Sequence, residues 1–257
     1  LLRWRHPQIG MVPPTEFIPI AEESGLVLPL GEWVIREVCE QMAAWTRDGL
    51  QTVPVSVNVS VHQLYDDELI AKICRQLDAA GLTPRELEFE ITESVLMEDT
   101  GVAEARLREL RAMGARVSMD DFGTGYSSLS YLKRLPIDVV KIDRAFVRDI
   151  LSDADDQAIL AAIITMAHQL RLQIVAEGVE SEAQSQLLRR MDCDLIQGYV
   201  ITRPLPAEQY AALEARVLDK LERMGLTDLR RHIVVKDVLL PEDLQRMYYS
   251  NRGAIYG

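Results

Sequence analysis

The stretch ARVSMDDFGTGYSSLSYLKRLPIDVVKID, residues 115–143, contains two short runs rich in Val, Ile and Met, Ala115–Met119 and Asp138–Ile142. Both are shorter than a typical helix and rich in β-formers, so they read as buried strands. Ionisable residues gather at their ends: Asp120 and Asp121 follow the first, and Lys141 and Asp143 flank the end of the second. Four more runs of this kind lie outward along the chain, at Val53–Val59, Glu86–Ile91, Leu172–Ala176 and Asp194–Gln197. Helical patterns occupy the gaps, at Asp67–Ala80, Thr100–Met113, Asp153–Leu170 and Ser181–Met191. Two further helices, Pro14–Glu23 and Gly31–Trp45, precede the first run, the second with apolar residues on one face at helical spacing. Strand centres recur roughly every 22 to 34 residues, the size of a βα unit. Such alternation predicts a parallel sheet wrapped by helices, either doubly wound or closed as a (β/α)8 barrel.

The strand ends separate these two folds. Asn58 closes the first run, Glu90 sits in the second with Glu93 just after it, Glu177 follows the fifth, and Gln197 ends the sixth. A doubly wound sheet concentrates its site at one switch point. A barrel gathers residues from many strand ends onto one face, and polar residues at six ends favour the barrel. A closed barrel needs eight strands, so the expectation is that two precede Leu1.

The 257 residues carry 28 Lys+Arg against 40 Asp+Glu, a formal net charge of −12. Residues 214–257 hold 8 basic and 7 acidic residues, so the acidity belongs to residues 1–213. That balance argues against a nucleic-acid polymer as partner. It permits an anionic small molecule, because carboxylates can hold cations that reverse the local sign. Cys39, Cys74 and Cys193 match no disulfide or zinc spacing, which points to a reducing compartment and a cytoplasmic domain, in a full-length protein that could be membrane-tethered. The longest apolar run, Ala158–Ala167, is about half a membrane span and reads as a buried helix. No signal peptide opens the chain, which starts at Leu1 without Met and reads as a fragment.

Asn58, Glu90, Asp120 and Asp121 form an oxygen-donor set suited to hard divalent cations such as Mg2+ and Mn2+. Adjacent aspartates cannot point the same way from an extended chain, but on a turn at Asp120-Asp121 one could bridge two cations while the other binds one. Two cations about 3.5–4 Å apart would clamp a phosphoester for hydrolysis. Lys141 would orient the water or stabilise developing charge, and Glu177 would anchor a second cation or accept a proton. Taken singly, Glu90 reads as a solvent-facing residue of an alternating strand, and Asp120-Asp121 as a plain Asx turn. Lys141 is less ordinary, since a lysine inside a β-rich run needs a partner.

The chain resembles the EAL domain, the bacterial cyclic di-GMP phosphodiesterase domain. The motifs are Leu-Leu-Arg-Trp-Arg-His-Pro (1–7), Val-Asn-Val-Ser (57–60), Glu-Ile-Thr-Glu (90–93), Asp-Asp-Phe-Gly-Thr-Gly-Tyr-Ser-Ser-Leu (120–129), Val-Lys-Ile-Asp (140–143), Ala-Glu-Gly-Val-Glu (176–180), Gln-Gly-Tyr (197–199) and Arg-Pro-Leu (203–205). The likeness covers residues 1 to about 212. It implies a modified TIM barrel with an antiparallel first strand, and hydrolysis of cyclic di-GMP to linear pGpG with Mg2+ or Mn2+. It implies Asn58, Glu90, Asp120 and Asp121 as metal ligands, and Lys141 as the water-positioning lysine. Glu177 is implied near the second metal, and Glu93 as the residue steadying the loop that starts at Asp121. Leu2, Arg3 and Gln197 are implied on the substrate side. The family further implies a homodimer and allows an upstream sensory or GGDEF-type domain. In the family, the Glu and Ala of the signature precede the position of Leu1, and that Glu is a metal ligand. Weak or no turnover is therefore expected of these 257 residues alone, and equal rates with and without the upstream strands would refute this. The alternative is a catalytically impaired module that binds cyclic di-GMP as a sensor.

The likeness ends with the barrel at about residue 212, and residues 213–257 read as a helical extension and tail. Ala207–Met224 is a long helical pattern, and Asn-Arg-Gly-Ala-Ile-Tyr-Gly (251–257) resembles the C-terminus of phytoene-desaturase-like oxidoreductases. The Gly-rich dinucleotide motif those proteins need is absent from this sequence. A fused or mis-framed segment is favoured over a plain linker.

Overall fold

The structure is a computed structural model that describes residues 2, 4–47, 52–98, 100–123 and 132–200. Arg3, the helical pattern Ala207–Met224 and the tail lie outside the described residues.

Six parallel strands form one sheet in chain order: β3 (Val55–Asn58), β4 (Leu87–Thr92), β5 (Arg116–Phe122), β6 (Val139–Ile142), β7 (Gln173–Ala176) and β8 (Leu195–Ile196). Sequential neighbours in one direction, with no reversal of order, give a half-barrel and exclude the doubly wound alternative. The strands match the expected runs to within a few residues at each end. Alternation along each strand separates two faces. On β4, Leu87, Phe89 and Ile91 are fully buried among the residues of the main hydrophobic core. Removing each from water stabilises the fold by about 1.5–3 kcal/mol. The alternate residues Glu88, Glu90 and Thr92 therefore face the concave side.

Before the sheet come a hairpin and two helices. The antiparallel strands β1 (Trp4–His6) and β2 (Gly10–Val12) pair through Trp4–Val12, Arg5–Met11 and His6–Gly10. This hairpin was not among the expected elements; its strands are three residues long, and only the Pro7 and Gly10 punctuation signals it. Helix α1 is Pro14–Glu23, as expected. Helix α2 runs Val27–Arg47 and begins four residues before the expected Gly31. Pro29 falls in its first turn, where the missing N–H has no intrahelical partner to lose.

The remaining helices follow their strands: α3 (Val61–Leu64), α4 (Leu69–Ala80), α5 (Glu93–Glu98), α6 (Thr100–Met113), α7 (Ala145–Arg148), α8 (Ala154–Gln169) and α9 (Glu182–Arg190). Two start on the same device. Ser60 accepts from Gln63 N while Gln63 Oε1 accepts from Ser60 N, and Ser181 and Gln184 repeat the exchange at α9. The apolar run expected to be a buried helix is the centre of α8, where Leu160, Ile164 and Ala167 are buried. No described helix is long and apolar enough to cross a membrane.

Candidate active site

Parallel pairing carries the polar strand ends to one edge of the half-barrel. Register places Asn58 beside Glu90 and Thr92 beside Asp120, and Lys141 beside Val175, two residues short of Glu177. Lys141 is the hub. Its Nζ lies 2.9 Å from Glu90 Oε1, 3.4 Å from Asp120 Oδ1 and 2.6 Å from Glu177 Oε1, and only 6% of its side chain is exposed. The Glu177 contact is the shortest of the three and pairs a buried carboxylate oxygen with the ammonium. Asn58 Nδ2 donates to Glu90 Oε2 at 3.3 Å. Glu90, expected from alternation alone to face solvent, is instead 7% exposed and turned to the concave side.

Asp120 and Asp121 do not sit on a turn after the strand, the arrangement the sequence allowed. They lie inside β5, which continues to Phe122. The pairing of β5 with β6 slips between Met119 and Phe122, so β5 carries one residue more than its partner there. Asp121 sits at φ 54°, in the left-handed region that Asp tolerates better than most residues. Such a bulge re-aims a side chain. Oxygens of Asp120, Asp121 and Glu177 consequently lie within 4.8 Å of one another.

The chain after the bulge is pinned at once. Glu93, fully buried at the start of α5, accepts from Gly123 N through Oε2 at 2.9 Å. Its Oε1 is buried without a hydrogen-bond partner among the described residues. Gln197 follows β8 and is held by its backbone: its N donates to Ala176 O at 2.8 Å, and its O accepts from Val179 N at 3.0 Å. Leu2 is half-buried, and Arg3 is outside the described residues. The site therefore brings together Asn58, Glu90, Asp120, Asp121, Lys141 and Glu177.

Electrostatics divides these groups. Burial disfavours the Lys141 ammonium, but Glu90, Asp120 and Glu177 outweigh it and hold the group above the ordinary lysine range. Burial pushes the Glu177 carboxyl up, against the opposing pull of Lys141 and with help from Asp120. Asp121 is also raised, first by burial and then by the charges of Asp120 and Asp143. Asp143 received no role from its position in the sequence; its signal was its place two residues after Lys141. Beneath Glu90 on the same face, Glu88 pairs with Arg116 at 3.4 Å, and Arg116 donates to Gln173 at 2.6 Å.

A parallel α/β half-barrel with carboxylates, an amide and a buried lysine converging at the carboxyl ends of its strands defines a class of barrel proteins with a site for cations and anions. A sequence profile of the EAL domain matches residues 1–204. The chain belongs to the EAL domain family, whose members have a modified TIM barrel and are metal-dependent. It is 46% identical over 212 residues to the bifunctional diguanylate cyclase/cyclic di-GMP phosphodiesterase MucR of Pseudomonas aeruginosa, covering 82% of this chain and 31% of that protein. It is 40% identical over 220 residues to the cyclic di-GMP phosphodiesterase PdeR of Escherichia coli, covering 86% of this chain and 33% of that protein. A solved structure of the MucR phosphodiesterase in complex with c-di-GMP superposes with a TM-score of 0.75 at 46% identity, covering 81% of this chain and 85% of that one. The chain thus spans about a third of the length of these two curated relatives.

Proposed function

We propose that this chain, acting as part of a longer protein like its relatives, hydrolyses one phosphodiester bond of cyclic di-GMP, adding water across a P–O bond to give linear pGpG. The observation that carries this is the convergence of Glu90, Asp120 and Glu177 on the buried Lys141 ammonium, with Asp121 beside them. Membership of the EAL family and 46% identity to a named phosphodiesterase support it.

The donor set fits Mg2+ or Mn2+: hard oxygens from Asn58, Glu90, Asp120 and Asp121, with Glu177 in reach, and three of them already within 4.8 Å. Bound there, divalent cations would lower the pKa of the attacking water and offset phosphate charge. Lys141 stays an ammonium, so it donates to the attacking oxygen and stabilises developing charge, and does not act as a base. Glu177, raised by burial, is suited to take the proton of the water. Glu93 holds Gly123 and with it the direction of the Asp120-Asp121 bulge. Leu2, Arg3 and Gln197 are assigned to the substrate; an arginine fork suits a phosphate. Residues 1–212 form the catalytic unit in this reading, acting as a cytoplasmic homodimer attached to further signalling domains.

The test is incubation with cyclic di-GMP and Mn2+, with products separated by chromatography. Linear pGpG that disappears on chelation supports the reading. Binding of cyclic di-GMP without product, in protein that also binds Mn2+, would replace it with a sensor module.

A further inference from the structure

Glu177 leaves β7 on a segment fixed to its neighbours at successive residues. Gly178 has φ 68°, and a Cβ there would lie 2.5 Å from Arg144 Cβ, so the backbone packs directly on the residue three beyond Lys141. Val179 N donates to Gln197 O at 3.0 Å. Glu180 N and Ser181 N both donate to Gln184 Oε1 at 2.9 Å, and Ser181 Oγ donates to the same atom at 3.1 Å. The other end of that amide faces the opposite way: Gln184 Nε2 donates to Val147 O at 3.0 Å and to Arg148 O at 3.2 Å. Those carbonyls belong to α7, the short helix that follows Lys141. Carbonyls in the last turn of a helix have no intrahelical donor, and N–H groups at a helix start have no intrahelical acceptor. Gln184, 6% exposed, satisfies both sets with one side chain.

We propose that Gln184 is a positioning residue for the reaction: by tying the segment after Glu177 to the helix after Lys141, it sets the 2.6 Å contact between them. It touches neither the reacting groups nor the carboxylates, and acts only through the ends of α7 and α9. The kinetic consequence rests on the phosphodiesterase reading; the consequence for cation binding does not, because Glu177 shares the oxygen cluster with Asp120 and Asp121.

Gln184→Glu separates positioning from capping. A glutamate at this place in a capping box still accepts from the helix start, but its carboxylate cannot donate to Val147 O and Arg148 O. Expected are a kcat reduced on the order of 10-fold to 100-fold with KM for cyclic di-GMP nearly unchanged, weaker Mn2+ binding by calorimetry, and circular dichroism like that of the parent. Gln184→Ala should show the same defects, and both variants should lose thermal stability, Gln184→Glu because a buried carboxylate then faces two carbonyl oxygens. Parent-like Mn2+ affinity in Gln184→Glu would overturn the proposal and leave Gln184 a helix cap. If the full-length parent protein makes no pGpG, the phosphodiesterase reading fails, and the Mn2+ titration still decides the role of Gln184.

Discussion

Asp120 and Asp121 are consecutive residues of one strand, yet an oxygen of each lies within 4.8 Å of the other and of Glu177. A regular strand would send them to opposite faces. The extra residue between Met119 and Phe122, with Asp121 at φ 54°, removes that conflict. The backbone and carboxylate contributions of Asp121 can therefore be separated. Asp121→Gly keeps the left-handed conformation at no steric cost. It should leave the melting temperature equal or slightly higher while weakening Mn2+ binding. Asp121→Val should weaken both, because a β-branched residue is strained at positive φ. Asp120→Asn should reduce pGpG formation by orders of magnitude, measured at saturating cyclic di-GMP. Parent-like turnover in Asp120→Asn would remove Asp120 from the proposed ligand set.

Lys141 neutralises three carboxylates that burial would otherwise set against one another. Removing one partner of a buried ionic group leaves uncompensated charge, at a cost of about 3–5 kcal/mol. Lys141→Met should therefore lower stability to urea in the absence of divalent cations. Added Mn2+ should restore part of the loss, since it supplies the missing positive charge. The pH dependence follows from the raised pKa. A base whose folded value lies above its unfolded value gives stability that is complete below the unfolded value and is lost as pH rises through the folded one. Lys141 therefore contributes constant stability across the neutral range. An alkaline fall in kcat below about pH 9 that vanished in Lys141→Arg would contradict its assignment as a permanent ammonium.

The carboxylates of Glu177 and Asp121 titrate above their ordinary values, with burial the leading cause in both. Protons thus compete with cations for these oxygens at a higher pH than at an exposed carboxylate. A raised acid also favours the folded protein most below its unfolded pKa and loses that advantage as pH rises through the folded value. Mn2+ affinity should accordingly fall as the buffer is taken from about pH 7.5 to about pH 5.5, with proton release on binding growing over the same range. Calorimetry in buffers of different ionisation enthalpy measures both. Glu177→Gln should reduce the proton release. Release identical to the parent would show that Glu177 does not carry the exchanging proton.

The six strands were legible because a sheet covered by helices needs near-continuous apolar runs, such as Val139-Val140 and Ile174-Val175. Lys141 stood out for the same reason, as a lysine between Val140 and Ile142 inside such a run. What strand periodicity conceals is the slip in register at Met119–Phe122. It depends on pairing with β6, which no local pattern encodes. The start of α2 is hidden because Pro29 and Gly31 have the chemistry of helix breakers, although both lie within the helix. Gln184 was invisible as a site-supporting residue: a polar side chain in the first turn of an amphipathic helix reads as surface. The partner carbonyls at Val147 and Arg148 are more than thirty residues away.

Gly31 supplies a test of how the segment after Asn58 is held. A Cβ at Gly31 would fall 1.9 Å from Nε2 and 2.4 Å from Cδ of Gln63. Gln63 is 5% exposed and is engaged with Ser60, two residues beyond Asn58, so its amide has little room to withdraw. Overpacking of this kind costs about 1–3 kcal/mol, against roughly 0.5–1 kcal/mol gained by replacing a mid-helix glycine with alanine. Gly31→Ala should therefore destabilise the parent in urea denaturation. In a Gln63→Ala background the obstacle is gone, and the same substitution should be neutral or stabilising. The coupling between the two sites should exceed about 1 kcal/mol, well above the deviation from additivity seen for independent positions. Equal costs in the two backgrounds would show that α2 does not press on Gln63.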